Sequence, residues 1–204
     1  PRYYQRVAVN RTVDAIARGV MRLLLVMATG TGKTYTAFQI VYRLLKSGMK
    51  RKILYLADRN ILVDQSIQQD FSPLEKVIHK INVAKDNKTT ITSHQVYFSL
   101  YQQLIGDDDK EHFSELFDKD FFDLIIVDEC HRGSAKEDSK WRRILDYFSS
   151  ATQIGMTATP KETTFRILAS RSTHTPSKTA LRTDFSPRLR SSASQQTLVT
   201  AGDR

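Results

Sequence analysis

One run of residues, Ala28-Thr29-Gly30-Thr31-Gly32-Lys33-Thr34, has the types and order needed to hold a polyphosphate. Gly30 and Gly32 let the backbone curl so that successive amides face phosphate oxygens, and a helix starting here adds its positive end. Lys33 is then placed to reach the β and γ phosphates of a nucleotide, and the Thr34 hydroxyl to ligate Mg2+. A second cluster is Asp128-Glu129-Cys130-His131. Two adjacent carboxylates at the end of an apolar run are costly unless a cation or a partner answers them. With a phosphate loop elsewhere, Mg2+ is that cation: Asp128 holds it through water, and Glu129 orients and deprotonates an attacking water. The plainer alternative is a pair of capping carboxylates leading into a loop. A third stretch, Thr157-Ala158-Thr159-Pro160, offers small hydroxyls that sense the carboxylates or His131; read alone it is equally a polar turn.

These clusters need a scaffold that brings them together. Apolar runs at Leu23–Met27, Ile53–Ala57, Phe121–Val127 and Gln153–Met156, with another around Val96–Leu100, read as buried parallel strands. Their hydrophobicity is continuous rather than alternating, as strands covered by helices on both faces require. Ala37, Ile40, Val41, Leu44 and Leu45 share one helical face ahead of Gly48, which suits a helix end, and Trp141, Ile144, Leu145 and Phe148 repeat that spacing. Strands alternating with helices predict an α/β fold with a doubly wound, mostly parallel sheet, whose ligands bind at the carboxyl ends of the strands. Residues 1–164 form this domain. From Phe165 to Arg204 Ser and Thr dominate, the periodicity is lost, and Pro176 and Pro187 interrupt, so the expectation there is a disordered or out-of-frame tail.

The 204 residues suit one such domain. No apolar stretch approaches the roughly 20 residues needed to span a bilayer, no leader pattern opens the chain, and the single Cys130 forms no internal disulfide, so a cytoplasmic protein without membrane contact is expected. A start at Pro1 leads to the expectation of a piece of a longer reading frame. The net charge is +9. Seven Lys and Arg against Asp184 and Asp203 lie from Phe165 onward, which leaves +4 on residues 1–164, an ordinary solvated surface. Charge alone therefore gives little support to nucleic-acid binding.

The order of motifs resembles that of superfamily 2 helicases and translocases. In place of the glycine of the general phosphate-loop pattern the chain has Met27, the helicase-type variant. Arg2-Tyr3-Tyr4-Gln5, Met27–Thr34, Leu56–Gln65, Asp128–Gly133 and Gly155–Pro160 are similar to the motor subunit of type I restriction enzymes, over residues 1 to about 164. The resemblance implies a RecA-like P-loop NTPase domain that uses ATP and Mg2+ to move on double-stranded DNA before cleavage, in a complex with specificity and methylation subunits. It implies that Gln5 reads the adenine edge with Arg2 and Tyr4 near the base, and that Ala28 to Thr34 hold the phosphates. It makes Arg59, Asn60 and Gln65, and less specifically Tyr101 and Gln102, candidate DNA contacts. His131 and Thr157, Ala158 and Thr159 then couple hydrolysis to movement.

Contacts of this kind run mostly to phosphates and are independent of sequence. A complete motor also needs a second RecA-like domain carrying an arginine for the transition state, for which 204 residues leave no room. The alternatives are a stand-alone superfamily 2 helicase fragment and a nucleotide-binding remnant without motor activity. Asp138-Ser139-Lys140 has residue types found in nucleases and reads instead as a solvated loop; Asp107-Asp108-Asp109 reads as an exposed acidic loop. Cys130 has no basic partner to activate it as a nucleophile.

Overall fold

The computed structural model describes residues 1–57, 67–88, 91–106, 110–128, 135–159 and 181–184. Its helices are α1 (Tyr3–Ala17), α2 (Lys33–Lys46), α3 (Tyr101–Leu104), α4 (His112–Leu116) and α5 (Ala135–Tyr147). Its strands are β1 (Arg22–Val26), β2 (Ile53–Ala57), β3 (Ile78–Lys80), β4 (Val96–Leu100), β5 (Leu124–Val127), β6 (Thr152–Thr157) and β7 (Leu181–Asp184). They form one sheet in the order β3-β4-β2-β5-β6-β1-β7, and every pairing in it is parallel. This is the expected doubly wound α/β architecture.

Alternate residues of each central strand feed opposite cores. Leu23, Leu25, Tyr55 and Ile126 pack beneath α1 and α2, whereas Leu24, Leu54, Ile125 and Val127 pack beneath α3, α4 and α5. All residues of β2, β5 and β6 are buried, which explains why β2 and β5 read as unbroken apolar runs; β6 includes Gln153, whose buried amide donates to the Leu145 carbonyl at 2.8 Å. The helix expected after the phosphate loop ends as its sequence implies: Gly48 has φ +72°, and the amides of Gly48 and Lys50 return to the carbonyls of Leu45 and Leu44.

Several expectations need correction. The strand expected over Phe121–Val127 begins only at Leu124. Asp123 stops it: its carboxylate accepts the amides of Arg51 at 2.7 Å and Lys52 at 3.2 Å, joining the starts of β2 and β5. Phe121 and Phe122 instead turn into an aromatic cluster with Tyr97 and Phe117, at ring separations of 4.8–5.7 Å. Asp138-Ser139-Lys140 lies inside α5 rather than in a loop, because Trp141, Ile144 and Leu145 anchor that helix on the core. Lys140 is buried, and its ammonium donates to the Gly106 carbonyl at 3.1 Å. Within the stretch expected to be a tail, Leu181–Asp184 lies beside β1 as an edge strand; the rest of 160–204 falls outside the described residues. The acidic run Asp107–Asp109 and Cys130 also fall outside them.

Tyr97 supplies a test of this core. Its hydroxyl donates to the carbonyls of Ile91 at 2.7 Å and His94 at 2.9 Å, and burial pushes the phenol up to about 12 from 10.0. Below pH 10 it is neutral folded and unfolded. Between 10 and about 12 only the unfolded chain ionises, so this contribution to stability is lost across that window. Tyr97→Phe is expected to melt lower at neutral pH and to lose part of the alkaline decline, as measured by thermal melts of both proteins across the alkaline range.

Candidate functional site

The sheet order decides where the motifs meet. The phosphate loop follows β1, Asp128 follows β5, and Thr157-Ala158-Thr159 ends and follows β6; β6 lies between β5 and β1. In a parallel sheet all three therefore emerge at the carboxyl edge. With strands about 4.8 Å apart, β1 and β5 end roughly 10 Å from each other, a gap suited to a phosphate and a hydrated cation rather than to direct contact. Met27 donates its amide to the Thr157 carbonyl at 2.9 Å, extending the β1–β6 ladder to the foot of the loop.

The loop has the backbone that its glycines were read to provide. Gly30 and Gly32 have φ +76° and +79°, the left-handed region where a side chain is strained. Gly32 is the N-cap of α2, and that 14-residue helix has no acidic residue in its first turn. Its positive end therefore meets no anion from its own chain end, as an anion-binding terminus requires. Lys33 and Thr34 are half-buried in that first turn. Thr31 is buried, and its hydroxyl donates to the Ala28 carbonyl at 2.6 Å, bracing the curl. Ala28 is half-buried, and Thr29 and Gly30 are exposed at the outer rim.

Two side chains of α1 hold this loop from outside. The Gln5 amide nitrogen donates to the Thr31 carbonyl at 2.9 Å, and the Tyr4 hydroxyl donates to the same oxygen at 3.1 Å. The Gln5 side-chain oxygen accepts the Arg2 amide at 2.7 Å, so a carbonyl on one side and an N–H on the other fix which end of the amide is which. The resemblance gives Gln5 a role at the adenine edge; here Gln5 is buried and joins α1 to the phosphate loop, a link that the sequence did not announce.

A Cβ on Gly32 would stand 2.5 Å from that amide nitrogen. Gly32→Ala is therefore expected to cost about 1–2 kcal/mol in backbone strain before the displacement of Gln5 is counted. Thermal melts should show a fall of roughly 3–6 °C, and nucleotide titration a weaker affinity.

On the other side of β6, Asp128 is half-buried. Its amide donates to the Leu56 carbonyl at 2.9 Å, and its Oδ2 accepts the Tyr55 hydroxyl at 2.9 Å. Ile126 packs on the α2 side of the sheet, and two residues on, the strand alternation returns Asp128 to that side. The carboxylate thus shares a face with the helix that carries the loop. Thr157 is buried with its hydroxyl accepting the Thr159 amide at 3.2 Å; Ala158 is half-buried and Thr159 exposed. A curled glycine-containing loop, a helix start with no acidic residue in its first turn, a hydroxyl and a carboxylate across a narrow gap form a donor set that fits a magnesium-bound polyphosphate.

The other candidates separate. Glu129, His131, Arg59, Asn60 and Gln65 lie outside the described residues. Tyr101 and Gln102 sit on α3, just past the carboxyl end of β4. Tyr101 is 5% exposed in the α5-side core, so contact with DNA through its ring requires α3 to shift; Gln102 is half-buried. No helix of the described residues is long and apolar enough to cross a membrane.

Comparison with known proteins agrees with this fold. Residues 1–162 match the family described as "Type III restriction enzyme, res subunit". The chain is 56% identical over 163 residues to the type I restriction enzyme EcoAI endonuclease subunit of Escherichia coli, covering 80% of this chain and 20% of that protein. It spans about a fifth of the length of that curated relative. Among solved structures it resembles the Pyrococcus furiosus Hef helicase domain, with a TM-score of 0.61 and 25% identity over 82% of this chain and 36% of that one. It also resembles a nuclease-deletion mutant of the type ISP restriction-modification enzyme LlaGI, solved with a DNA substrate mimic, with a TM-score of 0.59 and 26% identity over 79% of this chain and 18% of that one. The chain belongs to the type III restriction enzyme res subunit family, as a superfamily 2 helicase domain of RecA-like fold similar to the motor subunit of type I restriction enzymes.

Proposed function

We propose that this chain is the ATP-binding and hydrolysing motor domain of a DNA translocase in a type I restriction-modification complex. The observation that carries the reading is the convergence of the phosphate loop, Asp128 and Thr157–Thr159 at the carboxyl ends of three adjacent parallel strands. The loop amides, Lys33 and the start of α2 bind the phosphates, and Thr34 and Asp128 hold Mg2+. A cation held there would supply charge neutralisation to the phosphates. Glu129 takes a proton from the attacking water, and His131 with Thr157 and Thr159 passes the state of the nucleotide to the DNA side. Gln5, already fixed against Thr31, reads the base from the same position.

Double-stranded DNA is engaged through its backbone by Arg59, Asn60 and Gln65, with Gln102 as a further contact. Sequence recognition belongs to a specificity subunit, which acts with a methylation subunit in the same complex. Residues 1–164 are the ATP-binding domain, and the protein works in the cytoplasm.

The test is ATP hydrolysis by the chain with and without double-stranded DNA, beside a nucleotide titration in Mg2+. Turnover stimulated by DNA is expected of a working motor domain. Binding without turnover identifies a domain that holds nucleotide and depends on a second RecA-like domain for its transition state. Absence of nucleotide binding overturns the reading.

A further inference from the structure

The middle residue of β2 is a tyrosine in an otherwise aliphatic strand, Ile53-Leu54-Tyr55-Leu56-Ala57. Tyr55 is 1% exposed. Its ring stacks on Phe98 of β4 at 4.8 Å and meets the edge of Phe71 at 5.7 Å, so packing fixes where the hydroxyl points. A phenol in such surroundings needs a hydrogen-bond partner, and a phenylalanine would fill the same space without one.

The partner is Asp128. Tyr55 is paired with Ile126 in the β2–β5 ladder, and Asp128 lies two residues further on the same face, at the diagonal position that a long aromatic side chain reaches. The hydroxyl donates to Oδ2 at 2.9 Å, while the Asp128 amide donates to Leu56 next door. Backbone and side chain of this carboxylate are thus tied to consecutive residues of β2.

We propose that Tyr55 is a positioning residue for metal loading: its phenol holds the Asp128 carboxylate in one orientation before a divalent cation arrives. This rests on the assignment of Asp128 to the metal site. Two effects oppose each other. The hydrogen bond draws negative charge from the carboxylate and weakens its pull on a cation, whereas a fixed rotamer removes the ordering that binding otherwise requires. Loss of an outer partner of a metal ligand commonly lowers metal affinity or activity by about 10–100-fold, so the orienting effect wins.

The experiment measures Mn2+ affinity by electron paramagnetic resonance in the presence of a non-hydrolysable ATP analogue, and separately the affinity for the analogue without metal. Thermal melts accompany both, and all titrations run well below the lowest melting point. Tyr55→Phe is expected to weaken Mn2+ by about tenfold while metal-free analogue binding stays as in the wild type. Phe148→Leu, in the core on the opposite face of the sheet from Tyr55, is expected to lower the melting temperature and leave Mn2+ affinity unchanged.

An unaltered Mn2+ affinity in Tyr55→Phe overturns the proposal. So does an affinity that follows the melting temperature in both variants, because the role is then structural. Asp128→Asn separates this from the wider reading. If it binds Mn2+ as the wild type does, the metal-site assignment fails together with the inference; if it loses Mn2+ while Tyr55→Phe does not, only the inference fails.

Discussion

Lys33→Ala is expected to weaken ATP binding by on the order of a hundredfold, the equivalent of about 2–3 kcal/mol for a charge-assisted contact with phosphate oxygens. Lys33 opens α2 directly after Gly32, and alanine at that position is the better helix former, so the helix and its positive end survive the change. The loss is therefore one of ligand contact and not of fold. Titration of a fluorescent ATP analogue in Mg2+, beside a thermal melt, checks this. An unchanged affinity refutes the site assignment, and a collapse of the melting temperature along with affinity refutes the separation of ligand contact from folding.

Glu129→Gln is expected to leave ATP affinity near that of the wild type and to slow hydrolysis by about 10²–10⁴-fold, the usual worth of a general base. The substitution keeps shape and removes only the proton acceptor, while Asp128 before it retains its bonds to Tyr55 and Leu56. Steady-state ATPase rates with double-stranded DNA and the same titration distinguish the outcomes. Turnover at the wild-type rate assigns the base elsewhere. Loss of binding with loss of turnover places Glu129 in the cation site instead.

The contrast between these variants and Tyr55→Phe also indicates what each level of structure contributes. Lys33 and Glu129 were legible because each follows a buried strand, and a chemically costly residue at such a place needs a reason. Tyr55 was passed over because in the sequence it is one more large residue in an apolar run. Its partner is 73 residues away, and only the β2–β5 register makes them neighbours.

The same distinction holds for the elements. β2, β4 and β5 are covered on both faces and appear in the sequence as largely apolar stretches, whereas β6 is as fully buried with Thr152, Gln153 and Thr157 among its residues. β3 and β7 lie at the edges of the sheet, and neither carries a run of apolar residues; His79 and Lys80 in one, which is half-buried, and Arg182 and Asp184 in the other look like loop residues. α1 was missed as a helix because it packs through small residues, Ala8, Val9, Thr12 and Ala15, which carry a weak periodic signal.

The sequence by itself determined the glycine-containing motif after the first strand, the identity of the central strands and hence the fold class, since each depends on residue type within a few positions of the chain. Tertiary structure alone decided that β6 separates β1 from β5, that Gln5 and Tyr4 share the Thr31 carbonyl, and that Tyr55 holds Asp128. The physical reason is that strand order and cross-strand contacts arise from how separate apolar faces fit together, and no local pattern records which strand becomes a neighbour of which.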